Sequence, residues 1–81
     1  MHGQQVAQLI ALAESICQDQ LSICEAFREL KKYSAATGPV GDVVHLLYHF
    51  VSDADIRAKD PKYCAVQQDH LRSAIDSLKG L

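Results

Sequence analysis

Four polar residues with a regular spacing in the middle of the chain have the chemistry to hold a metal ion. They are Asp42, His45, His49 and Asp53, separated by three, four and four residues. On a helix this spacing places the four side chains in one stripe about 80° wide. Two histidines at i and i+4 can chelate a metal, and zinc accepts imidazoles together with carboxylates. The stripe is therefore the candidate metal site of this sequence.

The same stripe also has interpretations without a metal. The segment from His45 to His49 lacks the glutamate of the H-E-x-x-H pattern, which argues against a metalloprotease. A solvated polar helix face explains the stripe most simply, and a histidine surface for partner contact or pH sensing is the third interpretation. The sequence contains no phosphate-binding loop, nucleophile elbow or paired catalytic carboxylate motif. We therefore expect neither an enzyme nor a bound cofactor.

The helix that carries this stripe follows a much longer helical pattern. Residues from about 4 to 36 include no glycine or proline, and the stretch ends at Thr37-Gly38-Pro39. Gly38 is expected to adopt the left-handed conformation that closes a helix, and Pro39 to block its continuation. Apolar residues recur every seven positions, at Leu9, Ile16, Ile23 and Leu30. The pattern predicts one uninterrupted helix about 50 Å long.

The rest of the chain predicts shorter helices. Apolar spacing favours a helix over about 40–51, and a short helical turn is expected at about 53–58. Asp60 as N-cap and Pro61 as first helical residue predict a last helix over about 61–79. The fold class is therefore all-α, with one long N-terminal helix packed against two shorter ones in a single domain, 1–81.

The width of the first helix's apolar face predicts self-association. Its apolar residues cover about 180°, whereas one neighbouring helix needs little more than 100°. If the shorter helices lie end to end along it, one apolar side stays open, and a homodimeric bundle would cover that side. A folded-back three-helix monomer is the alternative. The predicted dimer interface consists of Leu9, Ile16, Gln20, Ile23 and Phe27.

Gln20 has a special place in that interface. It lies at the midpoint of the predicted helix, where a residue meets its own copy in a symmetric antiparallel pair. Two side-chain amides could then satisfy each other and determine the register. The alternative is that Gln20 reaches solvent at the edge of the bundle.

Composition narrows the range of partners. The 81 residues are 48% hydrophobic and 22% charged, with a net charge of -2, as in an ordinary globular protein without attraction to polyanions. Two basic clusters, one at residues 28–32 and one at 57–62, contain interleaved acidic residues. A nucleic-acid accessory protein is therefore only a second alternative. The most hydrophobic run, over residues 43–51, is too short to span a membrane.

Three cysteines without a C-x-x-C pair, together with the absence of a recognisable targeting segment, predict a cytoplasmic protein. The leading functional hypothesis is a small non-enzymatic interaction or regulatory accessory protein that acts as a homodimer. The alternative from another class is a metal-binding protein or metal-dependent enzyme that uses the stripe.

Overall fold

The computed structural model describes residues 2–80, and helices are the regular structure of that part of the chain. The five α-helices are α1 His2–Cys17, α2 Ile23–Leu30, α3 Gly38–Ser52, α4 Ala54–Lys59 and α5 Pro61–Lys79. A 3₁₀ turn, Lys31–Tyr33, extends α2. The all-α class is confirmed over residues 2–80; Met1 and Leu81, the ends of the predicted domain, lie outside the described residues. No helix in this range is long and apolar enough to cross a membrane.

The predicted helix over residues 4–36 is divided in two, which corrects the expectation from sequence. Asp19 has a left-handed backbone, with φ of 56°. The Gln20 N–H donates to the Ser15 carbonyl at 2.9 Å, and the Asp19 N–H donates to the Ile16 carbonyl at 3.2 Å. This pair of bonds is the Schellman motif, which usually uses glycine; aspartate is one of the few other residues that tolerate this conformation. Helix α1 therefore ends at Cys17.

A capping box starts α2 immediately after this break. The Glu25 N–H donates to Ser22 Oγ at 3.1 Å, and the Ser22 N–H donates to Glu25 Oε1 at 3.3 Å. Hydrogen bonds from Ser22 lower the pKa of Glu25 below its ordinary value. Ser22-x-x-Glu25 is a sequence signal for a helix start. The seven-residue apolar repeat hides it because Ile16 and Ile23 continue the repeat across the break.

Replacing Ser22 with alanine is expected to lower the free energy of unfolding by about 1 kcal/mol, because the Glu25 N–H loses its acceptor. Urea unfolding followed by circular dichroism measures the change. The control is Ser73→Ala, at an exposed position inside α5 where alanine suits the helix. Equal stability of the Ser22→Ala variant and the wild type would show that the cap does not determine where α2 begins.

The remaining helices lie close to their predicted ranges. Gly38 has φ of +64°, the left-handed conformation expected for it, and α3 starts at this residue instead of two positions later. The Asp60 side chain accepts hydrogen bonds from the N–H groups of Lys62 and Tyr63, both at 3.1 Å. Asp60 therefore caps α5 as its sequence context predicts.

One chain encloses its own apolar core. Helix α5 packs against α1, α3 and α4, while α3 also packs against α1 and α2. The largest fully buried side chains come from four helices and are Leu9, Leu30, Leu47, Leu71 and Leu78. The open two-layer hairpin is therefore not formed, and the folded-back alternative describes the chain better. The break at residues 18–22 is the physical reason, because it lets α2 turn back onto α3.

Candidate functional site

Helix α3 presents the two histidines of the candidate metal site side by side. His45 and His49 are both exposed, one helical turn apart. Their Nε2 atoms are 3.0 Å apart, and the two rings meet edge to face with centroids 4.6 Å apart. In the neutral rings, one Nε2–H can donate to the other Nε2. The histidine half of the predicted stripe is therefore assembled.

The carboxylate half of the stripe is not assembled. Asp53 Oδ2 accepts a hydrogen bond from the Tyr63 hydroxyl at 2.8 Å and another from Gln67 Nε2 at 2.9 Å. These bonds orient the Asp53 carboxylate toward α5. Asp42 is exposed on the first turns of α3. In the described part of the chain, no three His, Cys, Asp or Glu side chains are grouped so that they could hold a metal. The four-residue metal site predicted from sequence is therefore not observed.

Asp53 belongs instead to a polar network that joins α3, α4 and α5. Gln67 is buried, and its Oε1 accepts a hydrogen bond from Arg57 at 2.8 Å. The Arg57 guanidinium also donates to the Phe50 carbonyl and lies over the Phe50 ring, 3.6 Å from its centroid. The pKa of Tyr63 is raised mainly by the hydrogen bond that its hydroxyl donates to Asp53 and, to a smaller extent, by partial desolvation. All of these groups are paired with one another, so the network is structural.

The residues of the predicted dimer interface do not form one surface. Leu9 and Ile16 are buried in the chain's own core, where a second copy has no access to them. Gln20 is exposed in the loop between α1 and α2 and donates to the Gln18 side chain at 3.0 Å. The midpoint argument no longer applies to Gln20, because the continuous helix on which it depended is interrupted.

The other two interface residues lie on α2. Ile23 is 52% exposed. Phe27 is half-buried and stacks on Tyr48 of α3, with ring centroids 5.8 Å apart. They remain on the surface, but no longer in line with α1. Among the three cysteines, Cys24 is exposed while Cys17 and Cys64 are half-buried.

A concave surface with a mostly apolar lining lies at one end of the bundle. We call it the apolar groove; it has a volume of about 620 Å³ and lies between α1, the turn before α3 and the end of α5. Its apolar lining includes Val6, Ile10, Tyr33, Ala36, Val40 and Leu78. Volumes of this order are typical of binding sites. Three segments that are far apart in the sequence form this groove, so no local sequence pattern predicts it.

Two lysines line the groove, and each makes an ion pair with a glutamate. Lys32 lies on one side and makes an ion pair with Glu29 at 3.0 Å. Lys79 lies at the end of α5 and makes an ion pair with Glu14 at 3.4 Å. Burial is the main reason that the pKa of Tyr33, which also lines the groove, is raised. Both lysines of the groove are therefore paired with glutamates that lie outside its lining.

The two basic clusters are partly engaged within the fold. Arg57 is held by Gln67 and the Phe50 carbonyl, and Lys32 pairs with Glu29.

Comparisons with known protein families, with curated proteins and with solved structures find nothing that matches this chain. The histidine pair and the apolar groove are the two candidate functional surfaces of the described residues.

Proposed function

We propose that this chain is a small non-enzymatic interaction or regulatory accessory protein that acts as a homodimer, with the apolar groove as its interface. The observation that carries the proposal is the groove itself, a concave and mostly apolar surface of about 620 Å³ whose two lysines are paired with glutamates. The homodimer predicted from the sequence is thus still proposed, but with a different interface, because Leu9 and Ile16 are buried in the core.

The total surface of the chain supports a need for further burial. Its accessible surface is 5324 Å². A folded monomer of this mass is expected to expose about 4,800 Å². The chain therefore exposes roughly a tenth more surface than this scaling gives. A second copy that covers the groove would remove apolar surface from water on both protomers.

The charges at the rim favour a second copy over a strongly charged partner. In a two-fold symmetric contact, each surface patch meets its own copy. A patch of one sign would repel itself, whereas the Lys32–Glu29 and Lys79–Glu14 pairs supply both signs on both protomers. The net charge of -2 opposes such a contact only weakly. Three free thiols fit a reducing compartment, so we place this dimer in the cytoplasm.

Substitution of Ala7 by glutamate tests the proposal. Ala7 is an exposed residue of α1 that lines the groove, so the variant should fold normally while it places a charge in the interface. We expect the wild type to be dimeric at micromolar concentration in sedimentation velocity experiments. Ala7→Glu should weaken the dimer at least about tenfold, since an unpaired interfacial charge costs more than 1.4 kcal/mol.

The matched control is Ala65→Glu. Ala65 is also an exposed alanine inside a helix, but it lies on α5 outside the groove lining. This variant should dimerise like the wild type. The proposal would be overturned if the wild-type protein stays monomeric at a concentration 100-fold above the micromolar concentration at which we expect a dimer. An equal loss of dimer in both variants would also overturn it, because the groove would then have no special role.

A further inference from the structure

The histidine pair on α3 has a geometry that matters independently of self-association. Both rings are exposed, and their Nε2 atoms lie 3.0 Å from each other. The side chains start one helical turn apart, so they are neighbours on the helix surface and both nitrogens can reach one bound ion. Two neutral imidazoles held in this way are a bidentate donor set.

The separation of the two nitrogens indicates which metal ions suit the pair. Imidazole nitrogen binds a first-row metal at about 2.0–2.1 Å. Two such bonds to nitrogens 3.0 Å apart enclose an angle of about 94°. This angle is close to the 90° between neighbouring positions of square-planar and octahedral complexes and well below the tetrahedral angle. Copper(II) and nickel(II) prefer these tetragonal geometries with nitrogen ligands, whereas zinc prefers a tetrahedron.

We propose that His45 and His49 form a surface site for a divalent transition-metal ion of the Cu²⁺ or Ni²⁺ type. Both Nε2 lone pairs bind the ion, so the neutral ring that donates Nε2–H in the metal-free pair gives that proton to solvent and takes one up from solvent at Nδ1; both rings then bind as neutral Nδ1–H tautomers. Asp53 is held by Tyr63 and Gln67, and water fills the other coordination positions. The site therefore binds a metal from the surface without a buried cage.

The test uses protein without an affinity tag and either Cu²⁺ or Ni²⁺ alone as the probe. Titration calorimetry should give one site per chain. His45→Gln and His49→Gln should each weaken binding about 100-fold, because loss of one donor removes the gain from chelation. Both residues are exposed, so circular dichroism should show that the variants remain folded.

Two further histidine variants are the matched controls. His70→Gln changes an exposed histidine of α5, and His2→Gln changes the histidine next to the chain start. Both should bind the metal as the wild type does. As a second readout, Ni²⁺ should broaden the amide NMR signals around residues 45–49 first. The proposal is overturned by absence of binding, by equal affinity in His45→Gln and wild type, or by broadening centred on His70 or the chain start.

Discussion

Replacement of Leu47 by alanine is expected to remove a large part of this protein's stability. Leu47 lies in the middle of α3 and is completely buried. Truncation of such a leucine typically costs about 2–5 kcal/mol, from lost transfer free energy and from the cavity that remains. An 81-residue protein has a total stability of about 4–12 kcal/mol. Thermal and urea unfolding should therefore show a much lower midpoint, with a partly unfolded population at physiological temperature.

The neighbouring Leu46 provides a matched control for this experiment. It is the same residue type in the same helix turn, but it is only partly buried at the edge of the core. Leu46→Ala should therefore cost clearly less than Leu47→Ala. Equal losses in the two variants would contradict the placement of the core on the Leu47 face of α3.

Replacement of Asp53 by alanine is expected to have the second largest effect. Asp53 Oδ2 is the acceptor for the Gln67 amide and the Tyr63 hydroxyl. Gln67 is only 8% exposed, so its amide would lose its shorter hydrogen bond and keep the one that it donates to the Tyr63 hydroxyl at 3.3 Å, while the Tyr63 hydroxyl would lose its acceptor. An unsatisfied buried polar group costs about 1–3 kcal/mol. Urea unfolding measures this loss, and Asp55→Ala, at an exposed position on α4, is the control that should leave stability nearly unchanged.

The same variant should change how stability depends on alkaline pH. The Asp53 hydrogen bond raises the pKa of Tyr63 above its ordinary value of about 10. The neutral phenol is therefore favoured in the folded state. Its contribution is complete below the unfolded pKa and is lost as the pH rises through the folded pKa. Asp53→Ala should consequently lose less additional stability than the wild type as the pH rises above about 10.

Burial also raises the pKa of Tyr33, so the wild type and the Asp53→Ala variant both lose some stability at alkaline pH through this residue. The comparison between wild type and Asp53→Ala cancels that contribution, because Tyr33 is unchanged. If the two proteins lose stability in parallel from neutral to alkaline pH, the Asp53–Tyr63 hydrogen bond does not persist in solution.

Local signals in the sequence were sufficient for the helix boundaries that side-chain caps determine. Asp60 and Pro61 predict the start of α5, and the structure places its first residue at Pro61. Ser22 and Glu25 carry an equally local signal for the start of α2, but the apolar repeat runs across it and predicts a continuous helix. That repeat follows the core at Leu9, Ile16 and Leu30, whereas Ile23 is exposed because the chain turns between α1 and α2. Periodicity alone does not report such a turn.

The candidate site also contains one part that local sequence spacing predicts and one part that depends on the packing of the helices. The i and i+4 spacing places His45 and His49 on one helix face, and this follows from helix geometry alone. The same rule adds Asp53 to the stripe, yet its carboxylate turns to Tyr63 and Gln67, ten and fourteen residues further along the chain. No spacing within one helix contains that information. It depends on how α5 packs beside the end of α3.

By itself, the sequence determined the helical class, the capped start of α5 and the pairing of two histidines on one face, because each depends on interactions within a few residues. Only the tertiary structure decided that one chain closes its own core, that Asp53 serves a structural network, and that the apolar groove lies at one end of the bundle. These features depend on contacts between segments far apart in sequence. Such contacts follow from the turn at Asp19 and from side-chain packing, which a repeat in a single segment does not encode.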